Sequence, residues 1–353
     1  MVDSLMMSVV LEAPNELRLE QRPEPRPGPG EALVAIRSTG ICGTDLSIFA
    51  GKIPVTHPLV LGHEMVGTIL EIDGEVPPEP PLQRGDRVLI DPVVSCGTCY
   101  HCSKGQVNLC PNGALMGRDR DGGFSNIVAV PAANLYVVPR EISDTTGPLL
   151  QVLTTCIHAQ RQTELFPGES ALVMGLGVSG LLHLQLAKAR GGSPLIGVTR
   201  TASKRALAER LGADLTIDPS DPKALETVLG YTSGRGVDVA IEAAGRGSTL
   251  AKAIEFTRIG GRLTLFGTIT ERAPSIPYYQ LYYKELAISN PRAAKPEDFP
   301  AAIDIVSSGA VELEPLVTDV FPLSRAREAI TATGAGGSLK VILDHQGDAA
   351  ATA

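Results

Sequence analysis

The sequence predicts a mixed fold, in which a barrel-like β domain is followed by an α/β domain built on a doubly wound parallel sheet. Between residues 31 and 140, short β-rich segments are punctuated by Gly and Pro, which is typical of an antiparallel domain. After about residue 150, short apolar strands alternate with amphipathic helical runs, as in parallel sheets with right-handed crossovers. We therefore expect a first domain over 1–152, a parallel-sheet domain over 153–290 and a return to the first domain over 291–353.

The composition excludes several classes of partner. A chain of 353 residues is long enough for two domains that each bury an apolar core without disulfides. A formal net charge of -8 argues against nucleic acid or an anionic membrane, because both require a basic face. No stretch approaches the roughly 20 apolar residues of a membrane span, and the N-terminus lacks a secretory pattern. We therefore expect a cytoplasmic protein that acts on a small molecule.

Four of the six cysteines lie in the stretch SCGTCYHCSKGQVNLC, residues 95–110. In a reducing compartment, such a cluster is more typical of a metal site than of disulfides. Four thiolates can close a tetrahedral Zn2+ site: Cys96, Cys99, Cys102 and Cys110. His101 could replace one of them. Because a closed site leaves no position for substrate, we predict a structural zinc lobe over residues 95–111 and expect the chemistry elsewhere.

A glycine-rich stretch follows the first strand predicted in the second domain. Gly175, Gly177 and Gly180 form a G-x-G-x-x-G motif between that strand and a helix. The first glycine permits a tight turn, the second lets the backbone approach a pyrophosphate, and the third allows close helix packing. Val178 begins the helix whose N-terminal N–H groups would face the anion. Within repeated strand-helix alternation, the motif predicts a dinucleotide site, with a purely structural turn as the alternative.

The end of the next strand favours NADP(H) over NAD(H). NAD-binding versions carry an Asp or Glu about 20 residues beyond the glycine motif. Here the strand ends in Thr199 and Arg200 instead. Lys204 and Arg205 follow closely, and no acid occurs before Glu209. A hydroxyl and a guanidinium suit a 2'-phosphate, since Arg offers a bidentate, charge-assisted fork. If Arg200 is only a solvated surface charge, NAD stays usable.

A second candidate metal set precedes the cysteine lobe. Cys42 in GICGTD, with His63 and Glu64 in LGHE, combines a sulfur, an imidazole and a carboxylate. Such a mixed set suits an open catalytic zinc better than a closed structural one. These motifs, the four-cysteine lobe, GGF and the late glycine fingerprint occur in the order of the zinc-containing medium-chain alcohol and polyol dehydrogenases. The sequence resembles that family over essentially its whole length.

The resemblance implies a GroES-like catalytic domain, a Rossmann cofactor domain and two zinc ions per subunit, one catalytic and one structural. It implies that Cys42 and His63 bind the catalytic zinc and that Glu64 is a direct or indirect ligand. Asp45 matches the carboxylate that orients the ligating imidazole. Thr44 matches the hydroxyl that hydrogen-bonds the substrate oxygen. It also implies a homo-oligomer, with a tetramer favoured and a dimer possible.

Two positions depart from the family pattern. Gln151 stands where many members carry a further zinc ligand, Cys or Glu, and Cys156 is the rival for that role. An amide ligand would leave the zinc more electropositive and favour direct coordination by Glu64. Ser47 replaces the His that passes the proton to solvent in many members, so the route of the proton stays open. Lys340 keeps the pattern, because it matches the basic residue that contacts the pyrophosphate.

The sequence therefore predicts a zinc-dependent oxidoreductase that transfers hydride between NADP(H) and a polyol, sugar or secondary alcohol, or its carbonyl. One alternative is an NAD-linked polyol dehydrogenase of the sorbitol or threonine dehydrogenase type. Another is a catalytically silent zinc protein that binds NADP(H). Ser47, Phe49 and Arg292 are candidates for the wall of the substrate pocket. The tyrosines of YYQLYY could form a subunit interface or a wall of the cleft.

Overall fold

The computed structural model describes residues 4–74, 81–271 and 275–346, and the chain divides into two compact units. The first unit consists of Met1–Val152, Lys295–Ser307 and Leu313–Ala353. The second unit consists of Leu153–Ala294 and Ser308–Glu312.

The strands of the described residues are, in chain order, β1 (Leu5–Ala13), β2 (Glu16–Pro23), β3 (Glu31–Gly40), β4 (Leu59–Val60), β5 (Glu64–Ile72), β6 (Arg87–Ile90), β7 (Val93–Val94), β8 (Ala114–Leu115), β9 (Ile127–Pro131), β10 (Leu135–Val137), β11 (Ala171–Met174), β12 (Leu195–Val198), β13 (Leu215–Ile217), β14 (Val237–Glu242), β15 (Thr257–Leu265), β16 (Ala287–Ser289), β17 (Val317–Pro322) and β18 (Lys340–Asp344). The α-helices are α1 (Gly43–Phe49), α2 (Tyr100–Ser103), α3 (Leu149–Thr163), α4 (Val178–Ala189), α5 (Ala202–Arg210), α6 (Ala224–Tyr231), α7 (Gly247–Phe256), α8 (Tyr278–Tyr283), α9 (Asp298–Ser307) and α10 (Ala326–Gly334).

The first unit is built around β3. One edge of β3 pairs antiparallel with β5, and the other pairs with β9 near its start and with β18 near its end. The main sheet runs in the order β10-β6-β5-β3-β18-β17, with β17 and β18 parallel. Apolar side chains of β3, β5, β6 and β9 form one buried core, to which β3 contributes Val34 and Ile36. This arrangement holds the end of β3 beside the start of β5, where Glu64 stands.

The second unit contains a six-stranded sheet in which every neighbouring pair is parallel. The strand order is β13-β12-β11-β14-β15-β16, which is the 3-2-1-4-5-6 order of a doubly wound dinucleotide-binding fold. This confirms the predicted parallel sheet. The order reverses between β11 and β14, and ligands of such sheets bind outside the carboxyl ends of the strands at this point.

The local sequence explains the central layer of that sheet. All four residues of β11 are buried, as expected for a parallel strand covered on both faces. Helix α4 is also apolar over most of its circumference and buries Gly180 to Ala187. The helix ends before Gly191, whose φ of 81° is a left-handed conformation that favours glycine after a helix.

Among the described residues, no helix combines the length and the hydropathy that a membrane crossing requires.

Candidate zinc and cofactor sites

The four cysteines of the predicted zinc lobe converge on one point. The Sγ atoms of Cys99 and Cys102 are 3.5 Å apart, those of Cys99 and Cys110 3.8 Å, and those of Cys96 and Cys110 3.5 Å. All four are free thiols, and these distances far exceed a disulfide bond of about 2.05 Å. In a tetrahedral site with Zn–S distances of about 2.3 Å, neighbouring sulfurs are about 3.8 Å apart. The geometry therefore fits one zinc ion bound by four thiolates.

Backbone N–H donors and neighbouring thiols shift the pKa values of two cysteines in this lobe. Backbone N–H groups of Thr98 and Cys99 lower the pKa of Cys96 to about 5, which favours the thiolate. Desolvation and the neighbouring thiols of Cys99 and Cys110 raise the pKa of Cys102 to about 11. When one thiol of the group ionises, its negative charge disfavours the ionisation of its neighbours. A bound Zn2+ offsets this repulsion, so all four cysteines can bind as thiolates.

A second cluster gathers Cys42, His63 and Glu64 in the first unit. One ligand atom from each residue lies within 4.8 Å of the others. Cys42 immediately precedes α1, whereas Glu64 begins β5. Gly62 turns the chain between them with a φ of 95°, and a Cβ there would lie 2.5 Å from the ring of Phe124. Glycine is therefore required at the turn that presents the imidazole and the carboxylate.

Asp45 ties the two halves of this cluster together. Its carboxylate accepts hydrogen bonds from the Cys42 N–H at 2.8 Å and the Gly62 N–H at 3.2 Å. The same carboxylate lies 3.4 Å from Nδ1 of His63 and is fully buried. With Nδ1 turned toward Asp45, Nε2 is the ring nitrogen that a metal would use. Asp45 thus lies on the Nδ1 side of the His63 ring.

The cluster concentrates negative charge in a buried place. Burial by itself lowers the pKa of His63, but the charges of Asp45 and Cys42 outweigh it and raise that pKa well above its usual value. A site that attracts a proton so strongly also attracts a divalent cation. The thiolate, imidazole and carboxylate donors suit Zn2+ in particular. The residues present therefore fit a catalytic zinc.

Lys340 is placed differently from the predicted pyrophosphate contact. Its ammonium donates to both carboxylate oxygens of Glu64, at 2.8 and 2.7 Å, and to the carbonyl of Ile41 at 3.1 Å. These three bonds use all three N–H donors of the lysine, and both charged side chains are buried. A Cβ at residue 40 would lie 2.0 Å from a Glu64 oxygen, so Gly40 makes the room for this pair. Lys340 therefore balances Glu64 beside the metal cluster.

Helix α1 carries the two hydroxyls that the sequence singles out. Thr44 is half-buried and stands between Cys42 and Asp45 in the chain. Ser47 lies one turn beyond Gly43, and its Oγ donates to the Gly43 carbonyl at 2.9 Å. Ser47 is thus hydrogen-bonded within its own helix.

Helix α3 carries both candidates for the further zinc ligand. Gln151 is the third residue of the helix and is half-buried. Cys156 is fully buried, its Sγ lies 3.7 Å from the carbonyl of Ser179, and burial raises the pKa of its thiol. A buried thiol of this kind stays protonated and inert, which favours a packing role for Cys156.

A cavity of about 560 Å³ lies at the carboxyl ends of β11, β12 and β14. Four basic side chains contribute to its wall, and none of the described residues that line it is acidic. The lining comprises Met174, Gly175, Leu176, Gly177, Val198, Thr199, Arg200, Lys204, Pro219, Ser220, Ala243, Ala244, Arg246, Ser248, Thr249 and Lys252. The positive wall suits a ligand with several phosphate charges.

The glycine motif has the geometry that a pyrophosphate requires. Gly175 has a φ of 96°, and a Cβ there would lie 2.8 Å from Ala244. A Cβ at Gly180 would lie only 1.8 Å from the Gly175 carbonyl oxygen, so only glycine allows α4 to pack this closely on the turn. A Cβ at Gly177 would meet nothing within 4 Å. The backbone before Val178 is therefore open to a ligand, and the cavity fits a dinucleotide.

Arg205 does not line this cavity. Its guanidinium donates to the carbonyl of Thr199 at 2.7 Å and to the carboxylate of Asp218 at 3.2 Å. Instead of the predicted contact with the cofactor, the Arg205 side chain links the residues that follow β12 and β13. Thr199 and Arg200, by contrast, both line the cavity.

Three residues of the second unit were missed by the sequence analysis. Glu242 is fully buried, and its carboxylate accepts from the N–H groups of Ala244 and Gly245, each at 3.0 Å, and from the Thr249 hydroxyl at 2.7 Å. It thereby fixes the turn from which Arg246 enters the cavity wall. The sequence signal was an acid ending an apolar strand and followed by small residues. Lys252 carries no comparable signal.

Comparisons with known proteins agree with this geometry. Residues 28–140 match the alcohol dehydrogenase GroES-like domain, and residues 179–308 match the zinc-binding dehydrogenase domain. A sorbitol dehydrogenase from Halalkalibacterium halodurans is 30% identical over 92% of this chain and 94% of its own. A zinc-binding dehydrogenase from Sinorhizobium meliloti 1021, solved with NADP, superposes with a TM-score of 0.90 at 33% identity, covering 97% of this chain and 99% of its own.

An alcohol dehydrogenase from Escherichia coli CFT073, solved with NADH, superposes with a TM-score of 0.88 at 31% identity, covering 97% of this chain and 99% of its own. These matches extend over both units and confirm the predicted combination of a GroES-like domain with a Rossmann domain. The chain therefore belongs to the zinc-containing medium-chain dehydrogenase family, and it is an enzyme of the alcohol and polyol dehydrogenase class.

Proposed function

We propose that this enzyme transfers hydride between NADP(H) and a polyol, sugar or secondary alcohol, or the corresponding carbonyl compound. The observation that carries the proposal is the cluster of half-buried Cys42 with buried His63 and Glu64, with Asp45 behind the imidazole. When bound, zinc polarises the substrate oxygen and lowers its pKa, and the nicotinamide exchanges the hydride.

The residues of the chain divide the remaining tasks. Cys42 and His63 hold the metal, and Gln151 is the proposed further ligand. Glu64 stays beside the metal, where Lys340 neutralises its charge. The Thr44 hydroxyl would accept a hydrogen bond from the hydroxyl of the alcohol. Ser47 donates its own hydroxyl to the Gly43 carbonyl within the helix, so we do not assign it the proton-transfer role of the histidine that it replaces.

The proposed cofactor preference rests on the cavity wall. Thr199 and Arg200 at the end of β12 receive the 2'-phosphate, and the backbone from Gly175 to Val178 receives the pyrophosphate. Arg246 and Lys252 add further positive charge to the cavity wall. Since related structures contain NADP in one case and NADH in another, an NAD-linked polyol dehydrogenase is the second candidate.

The test is the initial rate of cofactor reduction by the zinc-replete enzyme, with NADP+ and NAD+ side by side, across polyols, aldoses and secondary alcohols. We expect turnover with NADP+ favoured at least about tenfold, or about 1.4 kcal/mol of discrimination. A preference for NAD+ would replace the cofactor proposal with the NAD-linked candidate. Tight NADPH binding without turnover on any member of the panel would instead indicate the silent binding protein.

We also propose a homo-oligomer, with a tetramer favoured. Helix α8 presents four tyrosines that are between 57% and 82% exposed, next in sequence to the edge strand β16, where Ile288 is 45% exposed. Exposed aromatic groups beside a free sheet edge are typical of subunit contacts. Light scattering of the purified protein measures the mass directly, and a monomer would exclude this proposal.

The reduced cysteine lobe supports a cytoplasmic location, where thiols are kept reduced.

A further inference from the structure

Three side-chain hydroxyls meet inside the second unit, near the carboxyl ends of β15 and β16. Thr163 is the last residue of α3, Thr264 is the penultimate residue of β15, and Ser289 is the last residue of β16. The Thr163 hydroxyl contacts that of Thr264 and lies 3.0 Å from that of Ser289. The hydroxyl oxygens of Thr264 and Ser289 are 3.4 Å apart, and both threonines are buried. These three residues are called the hydroxyl cluster below.

The hydrogen bonds of the hydroxyl cluster centre on Thr163. The carbonyl of Ala159, one turn earlier in α3, can only accept, so the Thr163 hydroxyl donates to it at 3.0 Å. The Thr163 oxygen has two lone pairs, and Thr264 and Ser289 can therefore both donate to it. Each of the three hydroxyl protons thus has an acceptor. Without the Thr163 hydroxyl, Ser289 keeps only its longer contact with Thr264.

Strand β16 depends on this cluster more than its neighbour does. Among the described strands it pairs with β15 alone, through three residues. Two of those residues are exposed, and Ser289 is the third. Strand β15 is also held from its other side, where the Phe266 N–H donates to the Glu242 carbonyl at 2.9 Å. The hydroxyl cluster therefore ties the carboxyl end of the outermost strand to β15 and to α3.

The strand order assigns this end of the sheet to one half of a dinucleotide. A doubly wound sheet of this order consists of two mononucleotide-binding halves. The glycine motif, Thr199 and Arg200 line the cavity at the carboxyl ends of β11 and β12, where we propose the pyrophosphate and the 2'-phosphate of the adenosine half. The carboxyl ends of β15 and β16 belong to the other half of the sheet, which leaves them for the nicotinamide half.

We propose that the hydroxyl cluster positions the nicotinamide half of the cofactor by fixing the carboxyl ends of β15 and β16. Its members are positioning residues, because they act through the two strands and need not touch the cofactor. The inference rests on the proposed nicotinamide-dependent function, but not on the preference for NADP(H). It predicts that loss of the Thr163 hydroxyl weakens recognition of the nicotinamide half and leaves binding of the adenosine half unchanged.

The test compares two ligands that differ in the nicotinamide half. NADPH carries both halves, whereas adenosine 2',5'-bisphosphate carries only the adenosine half with its 2'-phosphate. Calorimetric titration of the zinc-replete enzyme gives both dissociation constants for wild type, T163V, S289A and T163S. Valine keeps the shape of threonine without its hydroxyl, and T163S keeps the hydroxyl. The matched control is T257V, since buried Thr257 also donates to the carbonyl four residues earlier, that of Ala253 at 2.7 Å, but begins β15 at its amino end.

We expect T163V and S289A to bind NADPH about fivefold more weakly and the bisphosphate unchanged, because one net hydrogen bond corresponds to a factor of about this size. T163S and T257V should keep both constants. Equal weakening of both ligands in T163V, an unchanged NADPH constant in T163V, or the same loss of NADPH in T257V would each overturn the inference.

The cofactor preference is checked separately. If wild type prefers NADH, the same comparison is made with NADH and adenosine 5'-diphosphate, and the same outcomes decide it. A wild type that binds neither nicotinamide nucleotide contradicts the proposed function, and the inference with it.

Discussion

One buried carboxylate, that of Asp45, holds the candidate zinc ligands in place. Asp45 satisfies two backbone N–H groups and faces an imidazole at the same time, so no other side chain of similar size can replace it. An amide of the same shape has only one acceptor oxygen, so it could not accept from Cys42 and Gly62 through separate oxygens as the carboxylate does.

Replacing Asp45 with Asn should lower zinc affinity and activity about 10- to 100-fold, because the imidazole loses its orienting carboxylate. Zinc content after dialysis against a weak chelator, together with the turnover rate, measures both effects. D121N is the matched control, since Asp121 also accepts a backbone N–H, from Val60, and pairs with Arg22. Full zinc retention in D45N would contradict the role given to Asp45.

Asp91 shows how a buried acid affects stability with pH. Burial raises its pKa to about 7, although the N–H of Val93 donates to the carboxylate. The folded state thus disfavours the ionised acid, and this destabilisation grows from the unfolded pKa near 3.8 up to about 7 and stays constant above it. D91N keeps the acceptor for Val93 and removes the charge.

We therefore expect D91N to raise the free energy of unfolding more at pH 8 than at pH 5. Urea denaturation of wild type and variant at both pH values measures the difference. An equal effect at the two pH values would mean that Asp91 is not held protonated in the folded state.

At the scale of elements, the turn between β11 and α4 depends on two glycines for different reasons. Gly180 is required by packing, because its Cβ would overlap the Gly175 carbonyl, whereas Gly177 faces open space. We expect G180A to destabilise the protein by about 1–3 kcal/mol and to weaken nucleotide binding. We expect G177A to fold normally and to weaken nucleotide binding alone. Thermal unfolding and NADPH titration separate the two, and identical behaviour would contradict this division.

We expect the cysteine lobe to depend on a metal, because its only regular structure is the four-residue helix α2 and the three-residue 3-10 helix Val107–Leu109. C102S should therefore lower the zinc content from about two ions per chain to about one and destabilise the protein. C156A is the control, since its buried thiol contacts the Ser179 carbonyl and should leave the zinc content unchanged. Loss of a zinc ion in C156A would make Cys156 the further ligand and exclude Gln151.

At the scale of the whole molecule, local sequence patterns predict secondary-structure elements better than they predict contacts between distant side chains. The predicted segment ALVM coincides with β11, since four consecutive apolar residues between helices have few alternatives. Strands β1 and β2 precede the predicted β region. Strand β2 has no buried residue, and its alternation rests on two leucines alone, Leu17 and Leu19, which is too short a pattern to predict a strand. The candidate metal ligands could be proposed from the sequence because their spacing and residue types are themselves chemical signals.

Contacts between distant segments were not predictable in the same way. Lys340 and Glu64 are 276 residues apart, and they meet because β18 and β5 both pair with β3. Arg205 was expected at the phosphate, but the fold offers it a carboxylate and a carbonyl behind the wall. The ion-pair or hydrogen-bond partner of a charged side chain depends on which groups the fold places beside it. That placement depends on segments far apart in the sequence.

We propose that zinc held by Cys42 and His63 enables hydride transfer. The most direct measurement compares C42S with wild type for zinc content, NADPH affinity and turnover of the best alcohol found in the panel. We expect C42S to contain about one zinc ion per chain instead of about two, to keep its NADPH affinity and to lose turnover. Turnover by C42S at the wild-type rate, or wild-type protein with only one zinc ion per chain at full activity, would contradict it.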